Sequence, residues 1–372
     1  MFFKDVVGQK ELIAHLLTEA KSGKVAHGQL FMGNEGYGTL ALALAFSRYL
    51  LCERPTVQDG CGQCSSCLQV SELQHPDLHM VFPVIQAMSK TSDNLFPKWR
   101  EMVLESPYFS LFDWTKFMDD KERTPIIGSE ESKEIVRKIS LKSFQGGYKI
   151  MIIFAADQLN AHASNKILKI LEEPPLQTVF ILLSSNPQAI LTTIRSRTQS
   201  VQVTRLQAVD ISRYLQKECK MEANIADGVA SFADGDLCAA LAVMKDGEST
   251  AVYRELFIKL MRSSYKKDVI QMMNWADEVS ALTKERQKVF ILYALHMLRQ
   301  SLMLNYLGSD HVRLTAQEFD FTEKFSPYIT GNNIRLFIEE LDAAYYHIER
   351  NANTKILFTQ MSFQSMRFIH RA

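Results

Sequence analysis

The chain has no excess charge of either sign, because 42 Lys and Arg are matched by 42 Asp and Glu over 372 residues. A chain so balanced has no global field to gather nucleic acid, and any contact with DNA must come from a local patch. It also lacks long apolar runs. No window reaches the roughly 18 consecutive apolar residues of a membrane span, and the opening MFFKDVVGQKEL holds no apolar stretch of the secretory kind, so the sequence reads as cytoplasmic. Apolar content itself is ample. At 47% hydrophobic and 23% charged, the chain is read as two or three packed domains rather than a disordered tail. Cysteine is scarce and unevenly placed: four of six fall between residues 52 and 67, while Cys219 and Cys238 stand alone in helical patterns and read as core positions.

A further absence is local. Leu30-Phe31-Met32 reads as a short strand, Gly33, Gly36 and Gly38 as a loop, and Leu40 to Phe46 as a helix. That order points backbone N–H groups and a helix dipole at a phosphate, and it is completed by Gly-Lys-Ser/Thr. Gly33 and Gly38 keep the spacing, but Thr39 occupies the lysine position and Leu40 the hydroxyl position. Threonine cannot neutralise a β/γ-phosphate, and leucine cannot ligate a hard cation that demands oxygen. Two readings fit: a phosphate loop kept as architecture with its chemistry removed, or an ordinary glycine turn. The run Lys149 to Phe154 reads as a strand buried on both faces. An ATPase places Asp-Glu at the end of such a strand, whereas here Phe154 and Ala155 stand there. Asp157 lies two residues too far on and reads as a helix start.

Helical patterns at 11–20, 40–52, from a Ser129 cap through Ile139, and at 163–171 alternate with strand patterns at 30–32, 80–82, 149–154, 178–185 and 200–204. This predicts an α/β module, a parallel sheet with helices on both faces. Beyond Leu206 only helical periods remain, in one unit to about Lys245 and another from Thr250 to Ala372. In the latter, Ile334, Phe337, Ile338, Leu341, Tyr345 and Ile348 mark a packing face. Cys52, Cys61, Cys64 and Cys67 suit a tetrahedral, structural zinc site, the alternative being a redox pair or disulfide framework. His75 and His79 read as loop residues, since four cysteines already saturate zinc. Between residues 83 and 127 no period is evident. Pro97, Pro107 and Pro125 with Trp99, Tyr108, Phe109, Phe112, Trp114 and Phe117 read as an insertion of short helices and loops, partly packed by its aromatics.

The order FKDVVGQ, HGQLFMGNEGYG, the four-cysteine insert, SNKILKILEEPP, FILLSSNP and IRSR resembles the clamp-loader branch of the AAA+ proteins, the bacterial DNA polymerase III subunits, over about residues 1–245. The resemblance is closest to the delta-prime type, a relative of gamma/tau. It implies a P-loop-type AAA+ domain at 1–205 with a zinc insert (52–67) and a variable insertion (83–127), a helical lid at 206–248, and a helical collar at 249–372 that joins the subunits. It also implies a non-catalytic subunit that neither binds nor hydrolyses ATP. Cys238 stands where the ATPases of the family carry a sensing arginine. Ser196-Arg197-Thr198 matches the family's Ser-Arg-Cys, so Arg197 corresponds to an arginine finger reaching a neighbour's ATP; the alternative is a surface or salt-bridged arginine. Lys133, Arg137, Lys138 and Lys142, on or beside the Ser129 helix, are either phosphate-tracking residues or a solvated basic face. The implied partners are gamma/tau- and delta-type subunits, the sliding clamp and primer-template DNA, with no membrane. The alternatives are an active gamma/tau-like ATPase and a zinc-containing DNA-binding scaffold.

Overall fold

A computed structural model describes residues 1–119, 123–246, 251–312, 314 and 316–371. The domain boundary expected at 248/249 and the helix start expected at Thr250 lie outside the described residues, as do positions 120–122 of the insertion. The chain divides into two compact units, Met1–Tyr214 with Gly235–Cys238, and Leu215–Asp234 with Ala239–Ala372. The segment 206–248 contributes to both.

The first unit is the α/β module. Its elements in chain order are α1 (Lys10–Lys21), β1 (Gly28–Met32), α2 (Thr39–Leu51), α3 (Ser65–Ser71), β2 (Leu78–Val81), α4 (Phe96–Glu105), α5 (Leu111–Met118), α6 (Ser129–Ser140), β3 (Lys149–Ile153), α7 (Ala161–Glu172), β4 (Thr178–Ser184), α8 (Thr192–Arg195), β5 (Gln199–Gln202) and α9 (Ala208–Glu218), the last running on into the second unit. The five strands pair in the order β2-β3-β4-β1-β5, all parallel, with Lys149 opposite Thr178 and Gly28 opposite Phe180. Alternate strand side chains point to opposite faces, and in β3 and β4 both faces are buried, so they fall into two packed layers. Met151, Ile153, Phe180 and Leu182 pack with Ile135 and Ile139 of α6 and Ile167 and Leu171 of α7. The opposite face receives α2, which is buried almost all round and so belongs to the interior rather than the surface. This order brings the ends of β1, β3 and β4 together at one edge of the sheet, where open α/β folds hold their ligands.

Two local expectations are corrected. Ser129 does not cap α6: Gly128 holds the N-cap position and Ser129 is already helical. The other end of that helix is finished from outside, since the buried Lys149 ammonium on β3 donates to the carbonyls of Lys138 (3.2 Å), Ile139 and Leu141. His79 is a residue of β2 rather than of a loop. Burial, with Lys138 and Lys149 nearby, holds its pKa down at about 4.

In the second unit, Trp275, Phe290 and Phe358 pack edge to face or tilted at 5.8–6.4 Å. Ile334, Phe337, Leu341 and Ile348 are buried in the same core, and Ile338 and Tyr345 pack against it. Asn333, wholly buried, donates to the carbonyls of Tyr328 (2.8 Å) and Phe368 (3.2 Å), a buried amide that stitches two helix ends.

His79 makes stability depend on pH. A histidine held neutral when folded, with its pKa lowered from 6.5 to about 4, favours the folded state fully above pH 6.5 and loses that contribution as pH falls toward 4. Replacing His79 with Gln is expected to flatten the acid limb of the unfolding free energy between pH 6.5 and 4 by on the order of 2–3 kcal/mol, measured by urea denaturation at stepped pH.

Candidate functional site

The glycine loop lies at the ligand edge of the sheet, but the chain fills it. Three of its amides are engaged internally: Gly33 N–H donates to the carbonyl of Ser184 (3.1 Å), Tyr37 N–H to Asn34 (3.0 Å), and Gly38 N–H to Glu35 (3.0 Å). Glu35–Tyr37 therefore forms a short 3-10 turn rather than an open cradle. Gly36 faces the Asp236 carboxylate so closely that an added Cβ would lie 1.7 Å from Oδ1, and Asn34 Nδ2 holds the other carboxylate oxygen at 2.8 Å. An acid in that position repels phosphate. Gly38, at φ +90°, permits Tyr108 to lie against the start of α2, where an added Cβ would stand 3.1 Å from the ring. The Tyr108 hydroxyl accepts from Val7 N–H at 2.9 Å. Thr39 and Leu40 follow, both buried.

The end of β3 is closed in the same way. Phe154, only 1% exposed, packs against Trp99 (5.0 Å) and Phe109 (5.6 Å), and Trp99 in turn stacks on Phe82 (4.3 Å) and meets Trp114 edge-on (5.0 Å). Trp114 Nε1 donates to the carbonyl of Pro83 at 2.9 Å. Ala155 adopts a left-handed backbone at φ 49° and is buried. Asp157 accepts from Ser184 Oγ at 2.7 Å in a 3-10 turn. The 83–127 insertion thus supplies the core over the sheet edge. Sequence reasoning had not assigned it that place, and its density of aromatics was the available signal.

The four cysteines come together. All four Sγ atoms lie within 4.8 Å of one another, with Cys52 and Cys64 at 3.9 Å and Cys61 and Cys67 at 4.0 Å, and none is in a disulfide. Tetrahedral zinc with bonds of about 2.3 Å separates its sulfurs by about 3.8 Å, so the donor set fits that ion. Backbone N–H groups of Cys61, Cys64 and Cys67 donate to sulfur at 3.2–3.4 Å. The amides of Gln63 and Cys64 draw the Cys61 thiol down to about 6, while burial pushes Cys52 and Cys67 up. The knob is anchored from below by Arg48, 2% exposed, which donates to the carbonyl of Cys67 (2.9 Å) and to Ser71 and lies 3.9 Å from the Phe2 ring. It is tied sideways by Ser66 Oγ, which donates to Gln145 (2.6 Å). His75 Nε2 meets the same Gln145 oxygen at 3.2 Å and is no ligand of the cluster.

Arg197 lines an open surface cleft of about 530 Å³ together with His27, Glu172, Ser196 and Thr198. One guanidinium nitrogen meets Glu172 Oε1 at 2.7 Å, and another donates to the carbonyl of Thr193 at 3.1 Å. Thr198 fits the motif's third position, its hydroxyl donating to the carbonyl of Ile194 at 3.1 Å. The basic residues of α6 are already paired: Lys133 with Glu130 (2.7 Å), Arg137 with Glu134 (2.7 Å), and Lys138 with Asp93. A phosphate backbone would have to displace those acids. Among the described residues, no helix is long and apolar enough to cross a membrane.

These features define a five-stranded parallel α/β module whose glycine loop is filled by the chain's own side chains. The chain belongs to the DNA polymerase III delta-subunit family, whose model matches residues 8–207. It is 28% identical to DNA polymerase III subunit delta' of Escherichia coli over 49% of this chain and 43% of that protein. To the delta' subunit of Pseudomonas aeruginosa it is 29% identical, over 46% of this chain and 41% of that one. The tau/gamma subunit of Haemophilus influenzae is 24% identical over 73% of this chain and 35% of its own length. The chain therefore spans less than half the length of these relatives.

Truncating Phe154 to Ala empties the centre of the aromatic cluster and is expected to cost about 3–5 kcal/mol of stability in urea denaturation. A loss below about 1 kcal/mol would mean that the insertion does not pack there as a core.

Proposed function

We propose that the chain is a non-catalytic, delta-prime-type subunit of the DNA polymerase III clamp loader, acting in the cytoplasm. It neither binds nor hydrolyses ATP, and it lends Arg197 to the ATP site of a neighbouring gamma/tau-type subunit while the sliding clamp is loaded on primer-template DNA. The observation that carries this reading is the filled glycine loop at one end of β1 together with a surface arginine at the other, Gly28 end. Asp236, Tyr108 and Phe154 stand where phosphate, nucleotide and magnesium-binding acid would act, while Arg197 remains at an open cleft. A guanidinium offers a rigid fork to γ-phosphate oxygens and stabilises the charge that develops during transfer. In the same reading, residues 206–248 serve as lid and 249–372 as a collar that meets the other subunits. The relatives named delta' and tau/gamma support the assignment to a clamp loader.

The same proposal places one structural zinc on Cys52, Cys61, Cys64 and Cys67. Four sulfur ligands leave no open position for water, so the ion would fasten the 52–67 loop to α2 and α3 and take no part in a reaction. Metal analysis is expected to find one zinc per chain, lost in Cys64→Ser with a lowered melting temperature. A metal-free, equally stable wild-type chain would remove zinc from the proposal.

The functional test is the DNA-stimulated ATPase of the reconstituted loader. Arg197→Ala is expected to lower it at least tenfold with the assembly intact, against the 10³ to 10⁵ that a finger in trans contributes to a single site. The chain alone is expected to show no ATP turnover. An unchanged rate in the Arg197→Ala assembly would leave the subunit as a scaffold.

A further inference from the structure

We propose that Glu172 is a latch for Arg197, holding the finger on its own chain until a neighbour's nucleotide displaces it. This rests on the reading of Arg197 as a trans-acting finger and adds the residue that regulates it. The guanidinium is not loose at the surface. It is shared between Glu172 Oε1 at 2.7 Å, the carbonyl of Thr193 at 3.1 Å and Ser196 Oγ at 3.4 Å, so its polar edge is engaged within the chain.

The position of Glu172 is unusual on electrostatic grounds. It is the last residue of α7, where unpaired carbonyls already make the helix end negative and a carboxylate is disfavoured. Pro174 and Pro175 follow at once and stop the helix, which fixes the end of α7 beside the segment that carries Arg197. The ion pair relieves the misplaced acid, and it does so in the lining of the open cleft that leaves room for an incoming anion.

The strength of the pair suits a latch. The two side chains are 37% and 49% exposed, and an exposed pair of this kind biases a side chain by a factor of about two to five rather than locking it. A triphosphate terminus offers several anionic oxygens in the bidentate geometry that guanidinium prefers, so it outcompetes a single carboxylate once the neighbouring site is assembled. In the isolated chain the latch keeps the finger from stray anions, and in a loader without clamp and DNA it lowers idle hydrolysis.

Glu172→Gln removes the charge and keeps the shape, and Glu172→Asp keeps the charge. In the isolated full chain, the Arg197 side-chain resonance in ¹⁵N spectra, assigned by its disappearance in Arg197→Lys, is expected to show restricted guanidinium rotation in the wild type. Free rotation is expected in Glu172→Gln, with partial restriction in Glu172→Asp. In the reconstituted loader with ATP, Glu172→Gln is expected to raise hydrolysis without clamp and DNA two- to fivefold and to leave the stimulated rate within twofold. Loss of activity in Arg197→Ala together with an unchanged unstimulated rate in Glu172→Gln would overturn the latch alone. So would an Arg197 resonance that ignores Glu172, or a stimulated rate that falls in Glu172→Gln as it does in Arg197→Ala. Full activity in Arg197→Ala would overturn the finger and the latch together.

Discussion

The burial of Phe154 at the end of β3 is the contact on which the rest of the α/β module turns. A benzyl group at that point of a parallel sheet needs an apolar cover, and Trp99, Phe109 and Trp114 of the insertion provide it. Once the insertion is drawn over the sheet edge, Tyr108 is carried to Gly38 and its hydroxyl to Val7. The segment before α1 is thereby held to the glycine loop by the chain itself. An acid at residue 154 would abolish this arrangement, because a carboxylate among indole rings would be desolvated without a partner. Phe154 and the aromatic cover of the insertion are thus two sides of one packing solution.

The cysteine knob is integrated with the same module by polar rather than apolar contacts. Arg48, in the last turn of the interior helix α2, ties that helix to the first turn of α3 through the carbonyl of Cys67. Ser66, between two of the cysteines, reaches Gln145 in the loop before β3. That loop is in turn folded around Asp77, which accepts from Ser143 Oγ and from the amides of Phe144 and Gln145 at 2.8–3.1 Å. A rearranged knob would therefore be felt at the entrance to β3. Buried polar groups connected in this way specify one geometry, since each unpaired member would carry its full desolvation cost.

Charge is handled locally throughout. The basic residues of α6 face acids three residues away or in the insertion, Lys149 spends its charge on a helix end, and Arg197 meets Glu172. This is how a chain with 42 charges of each sign presents little free field.

Much was legible in the residues themselves. The five strands and helices α1, α2, α6 and α7 follow from apolar runs and their 2.0 and 3.6 periods, and the parallel α/β class follows from their alternation. The cysteine cluster follows from spacing, because two intervening residues can bring neighbouring sulfurs onto one ion. The missing lysine, hydroxyl and acid at Thr39, Leu40 and Phe154 could be read without coordinates, since side-chain chemistry is intrinsic to the residue. Partnership is not intrinsic. That Asp236 lies against Gly36, that Tyr108 reaches Val7, that Glu172 takes Arg197 and that His79 is enclosed within a strand depends on contacts between residues as many as 200 positions apart. Such contacts carry no local period or spacing, and they exist only once the sheet order β2-β3-β4-β1-β5 has brought distant segments together at its two ends. Sequence alone determined which chemistry the glycine loop lacks; the tertiary structure decided what fills it, because filling is a matter of packing between segments and not of any one segment's composition.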